Sequence, residues 1–353
     1  MRNRENNFDC LRQFAAFLVI IGHSQSLTGA AHTGLWGHGI ATVGVLIFFG
    51  LSGYLVAQSW ERDPVYISFI AKRSLRIFPA LALCVLLCVF VLGPILSTSP
   101  AGEYFQNPNT QNYFWNIVLL PRYNLPGVFA DNTYPYAVNG SLWSLPVEFA
   151  CYLLIALIGF GRGKARPLAV LLLCFILIGI NLWYSHLYQG AQIVIWGTDL
   201  GQATSIMPFF MVGALLCVSR DRIALRWDVA LGMALALTAL QLSVPSFPID
   251  QITWIFVPYI VLTIGWSRTP VLHRFGRFGD PSYGMYLYAF PVQQMLVYFS
   301  GNKIDFVTLT LLTTIIVAVL GLLSWHLLEK PAMTLKSKIG PSSERFQREG
   351  TSV

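Results

Sequence analysis

Residues 8–27 read FDCLRQFAAFLVIIGHSQSL. An unbroken apolar stretch of this length is a membrane-crossing helix, yet this one carries Arg12 at one end and His23 near the other. Eleven residues separate the two, about 16 Å along a helix. Eleven residues is also close to three turns, so both side chains project from nearly the same face. The Arg-then-apolar start resembles a secretory signal, but we read the stretch as a retained first span.

The rest of the chain agrees with a membrane reading. Of 353 residues, 55% are apolar and only 11% charged, where a soluble domain carries about 25% charged residues. So little charge does not cover a water-facing surface. It excludes a soluble enzyme, a disordered protein and a nucleic-acid-binding domain, despite the net charge of +7. What remains is an all-α, polytopic transmembrane helix bundle. Apolar runs predict about ten spans, at 11–29, 40–59, 77–97, 141–160, 167–185, 203–218, 227–245, 249–267, 282–299 and 306–328. With the N-terminus placed in the cytoplasm, 21 of the 23 Lys and Arg fall in inner segments, and only Arg122 and Lys303 fall outside. Arg2, Arg4, Arg162, Lys164, Arg345 and Arg348 belong to the inner set. That asymmetry predicts both termini in the cytoplasm.

Six cysteines, none in a predicted outer loop, read as small packing residues rather than disulfide partners. No metal-ligand spacing is evident, and no internal repeat. The long outer segment 98–140 is rich in aromatics and nearly uncharged. Its NYFWNIVLLP stretch suits a short interfacial helix. The aromatics fit either stacking on sugar faces or anchoring at the membrane interface.

Ionisable residues within spans are costly and point to function. Neutral imidazole at His23 has the chemistry of a general base, or of a plain helix–helix hydrogen-bonding group. Arg12 also fits an inner-end anchor. The fourth span opens NGSLWSLPVEF, which sets Glu148 about 10 Å below the outer surface, near the depth of His23. Pro146 is expected to break the helix just before it. Glu148 could orient the imidazole, or serve the freed backbone. Arg73 and Arg76, three apart on an amphipathic inner stretch, suit phosphate as well as lipid headgroups. FFGLSGYLV offers Gly50, Ser52 and Gly53 for close helix packing or a narrow substrate path. In the ninth span, Pro291 predicts a kink, and Gln293 and Gln294 suit either a polar substrate or helix–helix bonding. Glu329, beside Lys330, reads mainly as a helix-end feature.

Taken in order, FDCLRQFAAFLVIIGH, FFGLSGYLV, the Arg73/Arg76 element, NGSLWSLPVEF, DPSYGMYLYAFPV and LLEKP resemble the acyltransferase-3 family of bacterial integral membrane acyltransferases. The resemblance covers essentially the whole chain. It implies a transmembrane acyltransferase domain over 1–331, followed by a short basic and polar cytoplasmic tail at 332–353, with no esterase-like extension. It implies transfer of an acyl group, most often acetyl, from cytoplasmic acetyl-CoA or another acyl-CoA, without a metal. The acceptor it implies is a hydroxyl of a surface polysaccharide, lipopolysaccharide or lipid-linked sugar, at the bacterial inner membrane among membrane lipids. Carried over residue by residue, Arg12 and His23 become the essential catalytic pair, Glu148 a further motif position, and Arg73 and Arg76 the donor-binding groups. Two rivals remain: a transporter or flippase of a lipid-linked sugar, using His23 and Glu148 as a proton relay, and a purely structural partner in polysaccharide assembly. Many secondary transporters carry repeated halves, and the sequence shows none.

Overall fold

The structure is a computed structural model that describes residues 6–159, 165–244 and 247–338. Arg2, Arg4, Arg162, Lys164, Arg345 and Arg348, and the tail beyond 338, lie outside the described residues. The described chain is a bundle of helices: α1 (Phe8–Thr28), α2 (Ile40–Arg62) and α3 (Tyr66–Leu96), then short α4 (Ala101–Gln106) and α5 (Pro108–Tyr113). There follow α6 (Ser144–Ile158), α7 (Ala165–His186), α8 (Leu200–Val218), α9 (Trp227–Ser243), α10 (Ile249–Trp266), α11 (Ser282–Phe299) and α12 (Phe306–Thr334). Each of the ten expected spans lies on a helix. Among the described residues, seven helices are long and apolar enough to cross a membrane: α2, α3, α6 (counted from Gly140), α7, α8, α10 and α12. The chain is therefore a multi-pass helical membrane protein. Helices α1, α9 and α11 fall short of that standard by composition or length. In α1 the shortfall has a cause, since Asp9, Arg12, Gln13, His23 and Gln25 interrupt its apolar run.

The amphipathic stretch that carries Arg73 and Arg76 is the first part of α3. Helix runs unbroken from Tyr66 past Pro79 and through a π-turn at Cys88–Leu92. Pro146 does not break its helix. A 3-10 turn at Gly140–Trp143 leads straight into α6, and Pro146 sits in the first turn, where an α-helix has no internal partner for its N–H groups. Segment 98–140 carries the short helix expected of NYFWNIVLLP, as a 3-10 helix at Phe114–Val118. Tyr104, Tyr113, Asn116, Val128 and Phe129 are buried, so it packs onto the bundle, while Phe105, Trp115, Tyr134 and Tyr136 remain exposed. All six cysteines are free.

One expectation is overturned, because the fold contains an internal repeat. Helix α1 joins α2 through an antiparallel hairpin, β1 (Gly34–Leu35) with β2 (His38–Gly39). Helix α7 joins α8 through a second, β3 (Val194–Ile195) with β4 (Thr198–Asp199). Both turns are Trp-Gly, with φ of 53° and 80° at Trp36 and Gly37, and 49° and 74° at Trp196 and Gly197. These are the positive angles a two-residue hairpin of this hand requires. Positions 160 apart then match along the following helices: Phe49 and Phe209, Gly53 and Gly213, Leu55 and Leu215, Ser59 and Ser219, Arg62 and Arg222.

The packing of α2 on α8, the most extensive helix contact in the protein, is reciprocal in this numbering. A methyl group on Gly53 would lie 1.9 Å from Phe210 O, and one on Gly213 would lie 2.3 Å from Gly50 O. Residues 50 and 210 are themselves equivalent, so each copy offers its glycine to the same backbone position of the other. Small residues permit this close crossing.

Candidate active site

Four helices, α1, α3, α11 and α12, meet at an ion network. Asp280 stands two residues before α11 and accepts through Oδ1 from Ser282 N (3.2 Å). Its Oδ2 accepts from Arg76 Nη2 of α3 (2.7 Å) and Arg12 Nη1 of α1 (3.3 Å). Arg76 Nη1 reaches Glu329 Oε2 of α12 (3.2 Å), and Glu329 Oε1 accepts from Ser324 Oγ (3.1 Å). Arg12 also lies 3.6 Å from Asp9. Tyr283 and Trp325 flank the Arg76 guanidinium, with ring centroids 5.9 and 5.4 Å from its carbon. Glu329 is fully buried. Burial alone would push the Asp280 carboxyl up, but Arg76 and Arg12 outweigh it and hold the group below its ordinary value.

Beside this network opens a cavity of about 1020 Å³. Arg12, Arg73, Arg76 and Glu148 line it, with Ser52, Ser59, Tyr152 and Asp280. Arg62, Arg274 and Arg277 add further positive charge to the lining. Four of the five sequence-predicted site residues thus share one chamber. Ser52 Oγ and Tyr152 OH donate to Glu148 Oε1 (3.2 and 2.5 Å). Arg73 Nη2 donates to Ser59 Oγ (3.2 Å), while its Nε is buried without a partner. Of the small residues in FFGLSGYLV, Gly53 serves packing and Ser52 faces the chamber.

His23 is apart from the chamber. Its ring stands edge-on to Phe290 of α11, with centroids 5.0 Å apart, and its Nδ1 is buried without a hydrogen-bond partner. Glu148 makes no hydrogen bond to it, so the expected carboxylate–imidazole pairing is absent from this arrangement. On the neighbouring turn, Gln293 Nε2 donates to Ile20 O (2.9 Å) and Ser24 Oγ (2.7 Å). Those bonds fix the amide's orientation and leave the buried Gln293 Oε1 unpaired. Gln294 is spent on the outer segment, donating to Tyr134 O and Ala137 O. The chamber and His23 lie one helical turn apart along α11. Tyr286 lines the chamber, donates to Ser141 O (2.6 Å) and receives from Ser144 Oγ (2.7 Å). Phe290, four residues or about 6 Å further, covers His23.

Sequence reasoning missed Asp280, Tyr152 and the full weight of Glu329. Asp280 had a local signal, an Asp two residues ahead of a helix. Tyr152 lay four residues after Glu148, on the same helix face. Among the described residues, no group of three or more His, Cys, Asp and Glu could hold a metal ion.

A buried cluster of paired charges thus opens on a large, basic chamber inside a multi-pass helical bundle. Residues 5–327 match the acyltransferase-3 family model, described as an acyltransferase domain. The chain belongs to that family and is a membrane O-acyltransferase. It is similar to an O-acetyl transferase of Shigella phage Sf6, at 32% identity over 95% of this chain and 98% of the relative. It is also similar to Nodulation protein 10 of Rhizobium leguminosarum bv. viciae, at 27% identity over 95% of each chain. No solved structure matches it. The internal repeat removes the sequence-based objection to a transporter; family membership is what sets that reading aside.

Proposed function

We propose that the protein moves an acetyl group from cytoplasmic acetyl-CoA to a hydroxyl of a surface carbohydrate or its lipid-linked precursor. The observation that carries this reading is the basic chamber, which offers the Arg73/Arg76 element and further arginines to a polyanionic donor. Ten crossings, with both termini in the cytoplasm of a bacterial inner membrane, place that chamber on the donor's side. In this reading residues 1–331 form the catalytic domain and 332–353 a tail. The similarity to an O-acetyl transferase supports acetyl over larger groups.

His23 serves as general base. Its neutral imidazole takes the proton of the acceptor hydroxyl as the oxygen attacks the thioester carbonyl. A C–O bond forms, the C–S bond breaks, and the CoA thiolate leaves with the proton available from His23. Arg12 anchors the same helix at the donor end. Glu148, held by Ser52 and Tyr152, shapes the chamber wall where the acyl end lies. In one opened path the thioester itself passes the Tyr286–Phe290 turn to meet His23; on a transient carrier the C–S bond breaks first as the carrier is acylated, and the carrier, not CoA, is then the leaving group of the attack.

The test is transfer of label from acetyl-labelled acetyl-CoA in membranes containing the protein and an acceptor glycan. Label on the glycan is the expected result. Translocation of a lipid-linked sugar with no consumption of acetyl-CoA would establish the flippase instead.

A further inference from the structure

The two arginines of the Arg73/Arg76 element stand three residues apart, and that spacing invites a single two-armed fork on phosphate. Their surroundings separate them. Arg76 has both terminal nitrogens on carboxylates, Asp280 at 2.7 Å and Glu329 at 3.2 Å, and the Tyr283 and Trp325 ring centroids 5.9 and 5.4 Å from its carbon. Asp280 in turn holds Arg12 at 3.3 Å. Arg76 is thus the centre of a closed network that ties α1, α3, α11 and α12 together. Arg73 has no carboxylate partner among the described residues. It gives one hydrogen bond to Ser59, lies near the Phe69 ring, and keeps its buried Nε unpaired while lining the chamber. A buried guanidinium donor without a partner is costly unless a ligand completes it.

We infer that the element divides its labour: Arg73 is the direct anion receptor for the donor's phosphates, and Arg76, committed to Asp280 and Glu329, is a positioning residue that fixes the helix carrying Arg73. This rests on the acyl-CoA reading above and assigns its contacts. Asp280 and Glu329 become positioning residues as well. An anion entering the chamber completes Arg73 without displacing a carboxylate. To bind Arg76 directly, it would have to strip charge from the fully buried Glu329 or from Asp280.

The experiment uses the full chain in lipid nanodiscs and reads acetyl-CoA binding, thermal stability, and KM and kcat for transfer. Arg73→Gln is expected to keep the wild-type melting temperature, weaken acetyl-CoA binding at least 10-fold, raise KM more than it lowers kcat, and flatten the salt dependence of binding. Arg76→Gln alone leaves Glu329 unpaired, and is expected to lower the melting temperature and weaken binding together. Arg76→Gln with Glu329→Gln removes one charge of each sign and leaves Asp280 its Arg12 partner. That double variant is expected to regain stability and to bind acetyl-CoA at least 10-fold more tightly than Arg73→Gln. A stable double variant that binds as weakly as Arg73→Gln would overturn the division, as would an Arg73→Gln protein that binds like wild type. A wild-type protein that binds no acetyl-CoA overturns the donor reading and the inference with it.

Discussion

Arg12 and His23 sit on one helix, eleven residues apart, and their surroundings are opposite. At the Arg12 end, Arg12 and Arg76 share Asp280, and Glu329 closes the network. At the other end, His23 leans on Phe290 with a ring nitrogen unpaired, and Gln293 nearby keeps an unpaired oxygen. One region is satisfied without a ligand; the other is left incomplete. A buried charge left unpaired costs several kcal/mol; beside the network, of Arg12, Arg73 and Arg76, only Arg73 keeps a buried nitrogen unpaired. A neutral imidazole carries a smaller penalty and can wait for a hydroxyl. Under the proposed function, the Arg76 end is the scaffold and donor chamber, and the His23 end is where the acceptor hydroxyl would react.

That contrast predicts variants that damage activity or stability, but not both equally. The largest effect is expected at His23. His23→Ala should lower transfer by about 10³-fold, within the usual range for a general base, with the melting temperature unchanged. A transfer assay beside a thermal melt checks this, and a variant that loses its fold would erase the contrast. Next is Glu329→Ala, which leaves Arg76 half-paired and should cost about 3 kcal/mol, read as a fall in thermal stability. If it lowered kcat with no loss of stability, the network would be chemical rather than structural.

A smaller effect is expected where the repeated units cross. Gly53→Ala sets a methyl against a backbone oxygen of α8 that cannot turn aside, and should cost about 2 kcal/mol. Gly213→Ala, its counterpart, should cost a similar amount, and a large difference between the two would deny the reciprocal packing. The smallest effect is in pH. Arg76 and Arg12 hold Asp280 below its unfolded value, so its contribution is present above the ordinary carboxylate range and disappears as pH falls through the lowered folded value. The part of the stability that Asp280 carries, read as the difference in melting between wild type and Asp280→Asn, should stay level from about pH 7 to 5 and shrink only below about pH 4. A drop already at pH 6 would point to a different group.

Much of the bundle was legible in the sequence, because membrane helices announce themselves by uninterrupted apolar length. All ten expected segments lie on helices, and Arg12, Arg73, Arg76 and Glu148 share a chamber. What was hidden depended on contacts between distant segments. Asp280 takes no role in the sequence reading and Glu329 reads as a helix end, since their partner Arg76 lies 204 and 253 residues away in sequence. Glu148 and His23 have similar expected depths, yet depth along two helices says nothing of which way each side chain faces. The repeat escaped notice because its matches are scattered among unlike residues, and the loops before the two hairpins differ in length, 29–33 against 187–193. Only the paired Trp-Gly turns and the glycine crossing make it plain.

The most direct measurement is acetyl-CoA binding and acetyl transfer on the same His23→Ala protein, in membranes of a strain lacking the native copy, with glycan O-acetylation read by NMR. The account predicts donor binding within about twofold of wild type and no O-acetyl signal above background. O-acetylation at the wild-type level, or loss of donor binding together with transfer, would contradict the separation of donor chamber and base.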